Sequence, residues 1–209
     1  MKTNKIVVVD YGMGNLRSVA QALRHVAPEA DVQISGEVAA IENADRLVFP
    51  GQGAMPDCMR YLRESGLEDA VRHAAASKPF FGVCVGMQML FERSEEGNTA
   101  GLGVFAGFVK RFRPADITQK VPHMGWNNVL QTRPHPLWQD INDDERFYFV
   151  HSYFCEPIDP LATVATTDYA GTFTAAIARG NIFATQFHPE KSHRAGLTLY
   201  KNFLSWMPT

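Results

Sequence analysis

Short apolar runs alternate with segments of helical periodicity through the first half of the chain. Residues 6–9, 47–49 and 80–83 are the apolar runs, and residues 32–34, Val-Gln-Ile, continue the alternation. After the first run, apolar residues recur at helical spacing until Pro28, and a second helical region, whose continuity Gly66 leaves open, precedes the last run. Apolar strands that alternate with helices are typical of a parallel sheet covered on both faces.

After about Ser94 the pattern changes. Residues 103–112, residues 147–154 and the two segments around 179–181 are predicted strands joined by turns, and residues 195–206 return to helical spacing. We therefore predict an α/β fold in three layers, with a mixed, mostly parallel central sheet flanked by helices. The 209 residues contain no repeat, low-complexity tract or linker, so we expect one domain over residues 1–209.

Composition excludes several classes of protein. The formal charge of −2 gives no reason to expect nucleic-acid binding. The first apolar run ends at Asp10, too early for a signal peptide, and no segment approaches the roughly 20 apolar residues that span a bilayer. The three cysteines are too few for a disulfide scaffold, so we expect a reducing, cytoplasmic environment.

The strongest local motif is Gly-Val-Cys-Val-Gly-Met-Gln at residues 82–88, between a predicted strand and a predicted helix that contains Met87, Leu90 and Phe91. It has the form of a nucleophile elbow, in which glycines two residues either side of Cys84 relieve crowding in a sharp turn. A thiol at a helix N-terminus is favoured as the thiolate, and the Val85 N–H could stabilise an oxyanion beside it.

The alternative for Cys84 is a small buried cysteine near a tight turn. Outside this glycine frame that alternative would be the expected one, and we apply it to Cys58 and Cys155, which we expect in the core.

His188 is the histidine best placed to carry protons for a thiol nucleophile. It follows the strand-like residues 183–187 and precedes Pro189 and Glu190, whose carboxylate could hold one imidazole nitrogen. Alternatively, His188 is an ordinary strand-end histidine and Glu190 a solvated charge. His188 and His193 lie five residues apart without an evident third ligand, so we expect no metal site.

Two other loops follow predicted strands. Residues 10–15 resemble the start of a dinucleotide fingerprint, but Arg17 occupies the place of the third glycine, which favours a plain tight turn. Residues 50–53, Pro-Gly-Gln-Gly, could bring backbone N–H groups to a ligand as a second oxyanion donor. Residues 121–127 and 147–153, taken alone, indicate packing.

Together, residues 82–88 and 188–190 resemble the motifs of class I, triad-type glutamine amidotransferases. Residues 10–15, 122–127 and 149–153, and Met87, are most similar to the glutaminase subunits of imidazole glycerol phosphate synthase. The resemblance extends over nearly the whole chain. It departs from the family pattern at Gln52, where a small apolar residue is frequent, and at Val85, where leucine is frequent.

The resemblance implies that Cys84 attacks the side-chain amide of L-glutamine to give a thioester and ammonia, that His188 shuttles protons, and that Glu190 orients His188. It implies that substrate is held by Gln88, by Gly51 and by the backbone of Ser152 and Tyr153. It also implies that the oxyanion site is formed by the backbone at Val85, Gln52 and Gly53. No cofactor is implied.

The resemblance also implies a partner, a cyclase subunit with a (β/α)8 barrel that uses the ammonia in histidine biosynthesis. At 209 residues this chain is shorter than the roughly 250 typical of that barrel, so the partner would be a second protein in a heterodimer. The docking face would include Asn15, Trp126, Tyr148 and Lys191. The alternatives are a subunit of another synthase, a free-standing thiol amidohydrolase, and a binding subunit whose triad is unused.

Overall fold

The first half of the chain forms a parallel sheet in a computed structural model that describes residues 4–116 and 118–208. Its strands are β1 (Lys5–Val9), β2 (Asp31–Ser35), β3 (Arg46–Gly51) and β4 (Phe80–Cys84), in the order β2-β1-β3-β4. The C-terminal strand β13 (Ile182–Thr185) continues this sheet, parallel to β4. Residues 6–9 are fully buried, as their unbroken apolar run predicts.

Helices cover both faces of this sheet. They are α1 (Leu16–Val26), α2 (Val38–Glu42), α3 (Met55–Glu64), α4 (Glu68–Ser77) and α6 (His193–Ser205). The β1–β2 connection runs in one direction along the sheet, and the β2–β3 and β3–β4 connections run in the other. Because such crossovers are right-handed, α1 lies on one face of the sheet and α2, α3 and α4 lie on the other. In agreement, α1 packs against α6, and α2 packs against α4.

At Gly66, where the sequence leaves the continuity of the helical region open, the chain turns between α3 and α4. Gly66 has a φ of +72°, which glycine adopts at little cost, and the Leu67 N–H donates to the carbonyl of Leu62 across the turn.

The second half adds mostly antiparallel strands. They are β5 (Phe91–Ser94), β6 (Thr99–Ala100), β7 (Phe105–Arg111), β8 (His123–Gln131), β9 (Glu145–His151), β10 (Tyr153–Pro157), β11 (Thr163–Asp168) and β12 (Thr172–Arg179). From β13 the order continues β12-β10-β7-β5-β6, whereas β11 joins β12 to the β8–β9 hairpin. The predicted mixed, mostly parallel central sheet flanked by helices is confirmed.

The helix after Cys84 is shorter than predicted. It is α5 (Val85–Gln88), and Phe91 already belongs to β5, so the helix expected through Leu90 and Phe91 is wrong. The helix ends because of residues that are distant in sequence. The carbonyls of Met89, Leu90 and Phe91 accept hydrogen bonds from the backbone of residues 102–105 and are therefore not available for hydrogen bonds within a helix.

The predicted strand over residues 147–154 is two strands with a break at Ser152, and β8 and β11 were not predicted. Within the part of the chain that the structure describes, no helix is long and apolar enough to cross a bilayer.

Candidate active site

Cys84 occupies the sharp turn between β4 and α5. Its φ of 55° and ψ of −113° lie outside the regions that residues other than glycine ordinarily adopt. A β-carbon on Gly82 would lie 2.9 Å from the Ala184 Cβ, and one on Gly86 only 2.0 Å from the Phe49 carbonyl oxygen. The two glycines therefore let neighbouring strands approach closely enough to hold the turn.

The loop after β3 lies against this turn. A β-carbon on Gly51 would be 2.6 Å from the Gly86 nitrogen, so Gly51 packs beneath the turn. The Cys58 thiol donates a hydrogen bond to the Gln52 carbonyl at 3.4 Å. Burial raises the pKa of Cys58 to about 11, which keeps the thiol protonated and able to donate. Gly53 follows with a φ of +94°.

His188 is anchored through its backbone beside this turn. Its N–H donates to the Tyr148 carbonyl at 2.9 Å, and the Ser192 hydroxyl donates to the His188 carbonyl at 2.6 Å. The imidazole Nδ1 lies 2.8 Å from Oε1 of Glu190, and the two side chains are only 4% and 1% exposed. The other nitrogen, Nε2, is buried and has no hydrogen-bond partner in the described chain.

The charges around His188 favour its protonated form. Burial by itself lowers the pKa of His188, but a negative Cys84 sulfur, and then the Glu190 carboxylate, raise that pKa above its ordinary value. The two neighbours of His188, Cys84 and Glu190, therefore both stabilise its imidazolium form.

A cavity of about 330 Å³ opens onto Cys84 and His188. Most of the predicted site residues line it: Val85, Gln88, Gln52, Gly53, Ser152, Tyr153 and Lys191. Gly51 is not among its lining residues in the described chain. The cavity thus brings together segments from β3, β4, the β9–β10 junction and the chain after β13.

Three further residues of the site were not anticipated from the sequence. Glu96 lines the cavity, and its Oε2 accepts a hydrogen bond from the Met55 N–H at 2.8 Å. The Tyr200 hydroxyl donates to Oε2 of Glu190 at a long 3.5 Å. The Gln186 amide donates to the Cys84 sulfur at 3.6 Å. Only Gln186 carries a sequence signal, since it is a polar residue inside an apolar, strand-like run.

The residues expected at a docking face form a surface next to the cavity. Trp126 and Tyr148 pair across β8 and β9 with ring centroids 6.1 Å apart, and the Lys191 ammonium lies 5.6 Å from the Tyr148 ring. Trp126 also stacks on His193 with 8° between the ring planes. Asn15 lies immediately before α1, which packs against the turn at residues 189–191.

A second, larger cavity of about 600 Å³ lies beyond Trp126 and His193. Neither Cys84 nor His188 lines it, so the smaller cavity is the candidate active site. Among residues 4–116 and 118–208, no group of three or more histidine, cysteine, aspartate or glutamate side chains could hold a metal ion.

The site has a cysteine at a strained strand–helix turn and, beside it, a histidine whose ring is hydrogen-bonded to a carboxylate. Comparisons with known proteins give the family to which such a site belongs. The profile of the family described as glutamine amidotransferase class-I matches residues 7–206, so the chain belongs to that family. A chain in the PurLQS structure from Thermotoga maritima has the same fold, with a TM-score of 0.75 at 19% identity over 98% of this chain and 99% of that one.

Two relatives identify the subgroup of the amidotransferase family to which the chain is most similar. Both are imidazole glycerol phosphate synthase subunits HisH. The one from Aromatoleum aromaticum is 57% identical over 97% of this chain and 99% of its own length. The one from Chromobacterium violaceum is 58% identical over 97% and 98%. Within the class, the chain belongs with the HisH subunits, and the predicted family is confirmed.

Proposed function

We propose that this chain, as a single amidotransferase domain, hydrolyses L-glutamine at Cys84 and passes the ammonia to the cyclase subunit of imidazole glycerol phosphate synthase in histidine biosynthesis. The observation that carries the proposal is the free Nε2 of His188. It is buried without a hydrogen-bond partner among the described residues, and it belongs to a ring that lines the cavity of Cys84 and whose other nitrogen is held by Glu190. A buried nitrogen without a hydrogen-bond partner is energetically costly, and a catalytic role is one of the reasons for which such a group is retained.

In the first half of the reaction, the Cys84 proton resides on His188 Nε2 and the thiolate attacks the side-chain amide carbon of glutamine. His188 then gives its proton to the departing nitrogen, the carbon–nitrogen bond breaks, and ammonia leaves a thioester on Cys84. Glu190 stabilises the imidazolium and fixes the ring orientation throughout.

In the second half, His188 removes a proton from water, which attacks the thioester carbon. The carbon–sulfur bond breaks, the thiolate is regenerated, and glutamate leaves. Both halves place negative charge on the former carbonyl oxygen, and we assign its stabilisation to the backbone N–H of Val85 with that of Gln52 or Gly53. Gln52 and Gly53 line the same cavity as Cys84, which supports this assignment.

The cavity also contains groups suited to the amino-acid end of glutamine. Glu96 contributes a carboxylate that can pair with the substrate ammonium. The Gln88 NH₂ group is already bonded to the Tyr153 carbonyl and to Gln186, so its oxygen is the atom that can accept from a substrate N–H. Ser152, at the break between β9 and β10, offers a hydroxyl.

We assign docking of the cyclase, a (β/α)8 barrel in a cytoplasmic heterodimer, to the surface around Trp126. Trp126 is 37% exposed and its strand neighbour Met124 is 67% exposed, an apolar pair of the kind enriched at interfaces. Tyr148 and Lys191 connect this surface to the mouth of the cavity, and Asn15 adjoins it. Ammonia released at Cys84 would leave the subunit on this side.

The Cys84→Ala variant tests the proposal. We expect it to lose glutaminase activity and glutamine-dependent synthesis, yet to support synthesis by the cyclase when free ammonia is supplied. Cys155→Ala is the matched control, because Cys155 is a buried cysteine of β10 without the glycine frame, and it should retain both activities. Glutamine-dependent synthesis by Cys84→Ala would show that the triad is unused.

The wild-type protein separates the remaining alternatives. We expect weak glutaminase activity from the isolated chain and a large increase on adding the cyclase with its nucleotide ligand. Equal rates with and without the cyclase would instead indicate a free-standing amidohydrolase. Copurification with a synthase of another pathway would indicate a different amidotransferase subunit.

A further inference from the structure

The carbonyl oxygen of Tyr153 accepts two side-chain hydrogen bonds inside the protein. One comes from Nε2 of Gln88 at 3.0 Å and the other from Nδ1 of His151 at 2.8 Å. A carbonyl oxygen can only accept, so both partners must donate. This one oxygen therefore determines which way the Gln88 amide points and which nitrogen of His151 carries the proton.

The first branch from this carbonyl leads to the nucleophile. The Gln88 NH₂ group also lies 3.1 Å from Oε1 of Gln186, to which it donates its second hydrogen. With its oxygen turned toward Gln88, Gln186 must direct its own NH₂ group the other way, where Nε2 lies 3.6 Å from the Cys84 sulfur. The donor that faces the sulfur is thus specified by the network.

The second branch anchors the carbonyl from the opposite side. Because His151 donates through Nδ1, its Nε2 accepts from Nδ1 of His123 at 2.9 Å. The remaining nitrogen of His123 then accepts from the Asn127 amide at 3.2 Å. Both rings are buried, with 4% and 6% exposure, and burial lowers the pKa of both, so they stay neutral and keep these donor and acceptor roles.

Strand register explains why Gln186 lies next to Cys84. β13 and β4 are parallel neighbours in which Thr185 pairs with Val83, so the next residue of each chain, Gln186 and Cys84, leave the sheet side by side. The Gln186 N–H donates to the Ala175 carbonyl at 2.8 Å, and the side chain is fully buried. The position and direction of this amide are both constrained.

We propose that Gln186 is a further catalytic residue, whose amide donates a hydrogen bond to the Cys84 thiolate. The inference rests on the proposed function of Cys84. His188 supplies a positive charge to the thiolate and must give up its proton when the amine leaves. Gln186 is neutral and keeps its donor in place through every step. Hydrogen bonds to charged groups are the stronger ones, so this contact favours the reactive form of the nucleophile.

The test uses Gln186→Met, which keeps the side-chain length and removes the donor, and Gln186→Glu, which keeps the acceptor for Gln88 and turns an oxygen toward the sulfur. Glutaminase kcat and KM are measured in the complex with cyclase, and the rate of Cys84 alkylation by iodoacetamide is followed against pH. Gln131→Met is the matched control, because Gln131 donates to two backbone carbonyls of residues 141 and 142 in the β8–β9 region.

We expect Gln186→Met to lower kcat about 10- to 100-fold, the loss expected for one hydrogen bond to a charged group, with a smaller change in KM. The midpoint pH of Cys84 alkylation should rise in Gln186→Met and rise further in Gln186→Glu. Gln131→Met should change neither quantity. A merely structural role for Gln186 would leave the alkylation midpoint where it is in the wild type.

Coelution of each variant with the cyclase in size-exclusion chromatography reports whether the variant folds and docks, independently of the thiol. If Gln186→Met and Gln186→Glu both alkylate with the wild-type midpoint, the inference is wrong even if their kcat is reduced. If Cys84→Ala is inactive while Gln186→Met has the wild-type kcat, only the role of Gln186 fails. If Cys84→Ala keeps its glutaminase activity, the proposed function itself fails.

Discussion

The neutral histidines behind the cavity should make the protein sensitive to mild acid. Burial lowers the pKa of His123 to about 4 and that of His151 to about 3, whereas an unfolded histidine titrates at about 6.5. Between these values the unfolded chain binds more protons than the folded protein, so stability is present above about pH 6.5 and is lost as the pH falls toward 4. For His123 alone, going from pH 7 to pH 5 removes about 2 kcal/mol from the free energy of unfolding.

Urea denaturation of the wild type and of His123→Gln at pH 7 and pH 5 measures this contribution. The variant loses the hydrogen bond to His151 and should be less stable at both pH values. Its free energy of unfolding should nevertheless fall by about 2 kcal/mol less than that of the wild type between them. His73→Gln, an exposed substitution on α4, is the matched control for removing a histidine.

Equal losses in the wild type and in His123→Gln would refute the reasoning, because they would mean that His123 is already charged in the folded protein. Nitrogen-15 NMR gives an independent reading at pH 7. The network requires the proton on Nδ1 in both His123 and His151, and a proton on Nε2 of either ring would break the chain of donors that ends at Tyr153.

Two further predictions concern the elbow and the triad. Gly86→Ala should destabilise the protein by several kcal/mol and abolish glutaminase activity, because the added β-carbon would lie 2.0 Å from the Phe49 carbonyl oxygen. The control Gly66→Ala should cost about 1 kcal/mol and remain active, because its added β-carbon would have no neighbour within 4 Å. Thermal denaturation and a glutaminase assay distinguish them, and an active Gly86→Ala would contradict the close approach. Glu190→Gln keeps a hydrogen-bond acceptor for His188 but removes a negative charge that, together with that of Cys84, raises the pKa of His188. We therefore expect kcat to fall about 100-fold or more and the pH–rate profile to shift. An unchanged profile would exclude an electrostatic role for Glu190.

The parallel part of the fold follows from local pattern, because its central strands β1, β3 and β4 are mostly apolar and alternate with helices. β8 gives no such signal: its buried residues are separated by exposed and half-buried ones, and Gly125 lies within it with a φ of +132°. The helix after Cys84 was overextended for a different reason. Its end is decided by hydrogen bonds from residues 102–105, and periodicity carries no information about such distant partners.

Some residues of the site can likewise be predicted from their neighbours in the sequence, whereas others depend on residues that are distant in the sequence. Cys84 can be predicted because its glycine frame is local, and Glu190 because it is two residues from His188. Gln186 is visible only as a polar residue in an apolar run, and its direction depends on a carbonyl at Tyr153. Glu96 has no local signal, since only the tertiary fold brings it to the cavity.

Strand register is what turns these separate segments into one site. Gly51 pairs with Cys84 at the end of β3 and β4, and Thr185 pairs with Val83 on the other side. The loop carrying Gln52 therefore leaves the sheet on one side of the nucleophile and Gln186 leaves it on the other. A shift of β13 by one residue would turn Gln186 to the opposite face of the sheet. The reactivity of Cys84 is thus tied to the packing of the core that fixes the register, and a core variant far from the cavity can alter it without touching a polar residue.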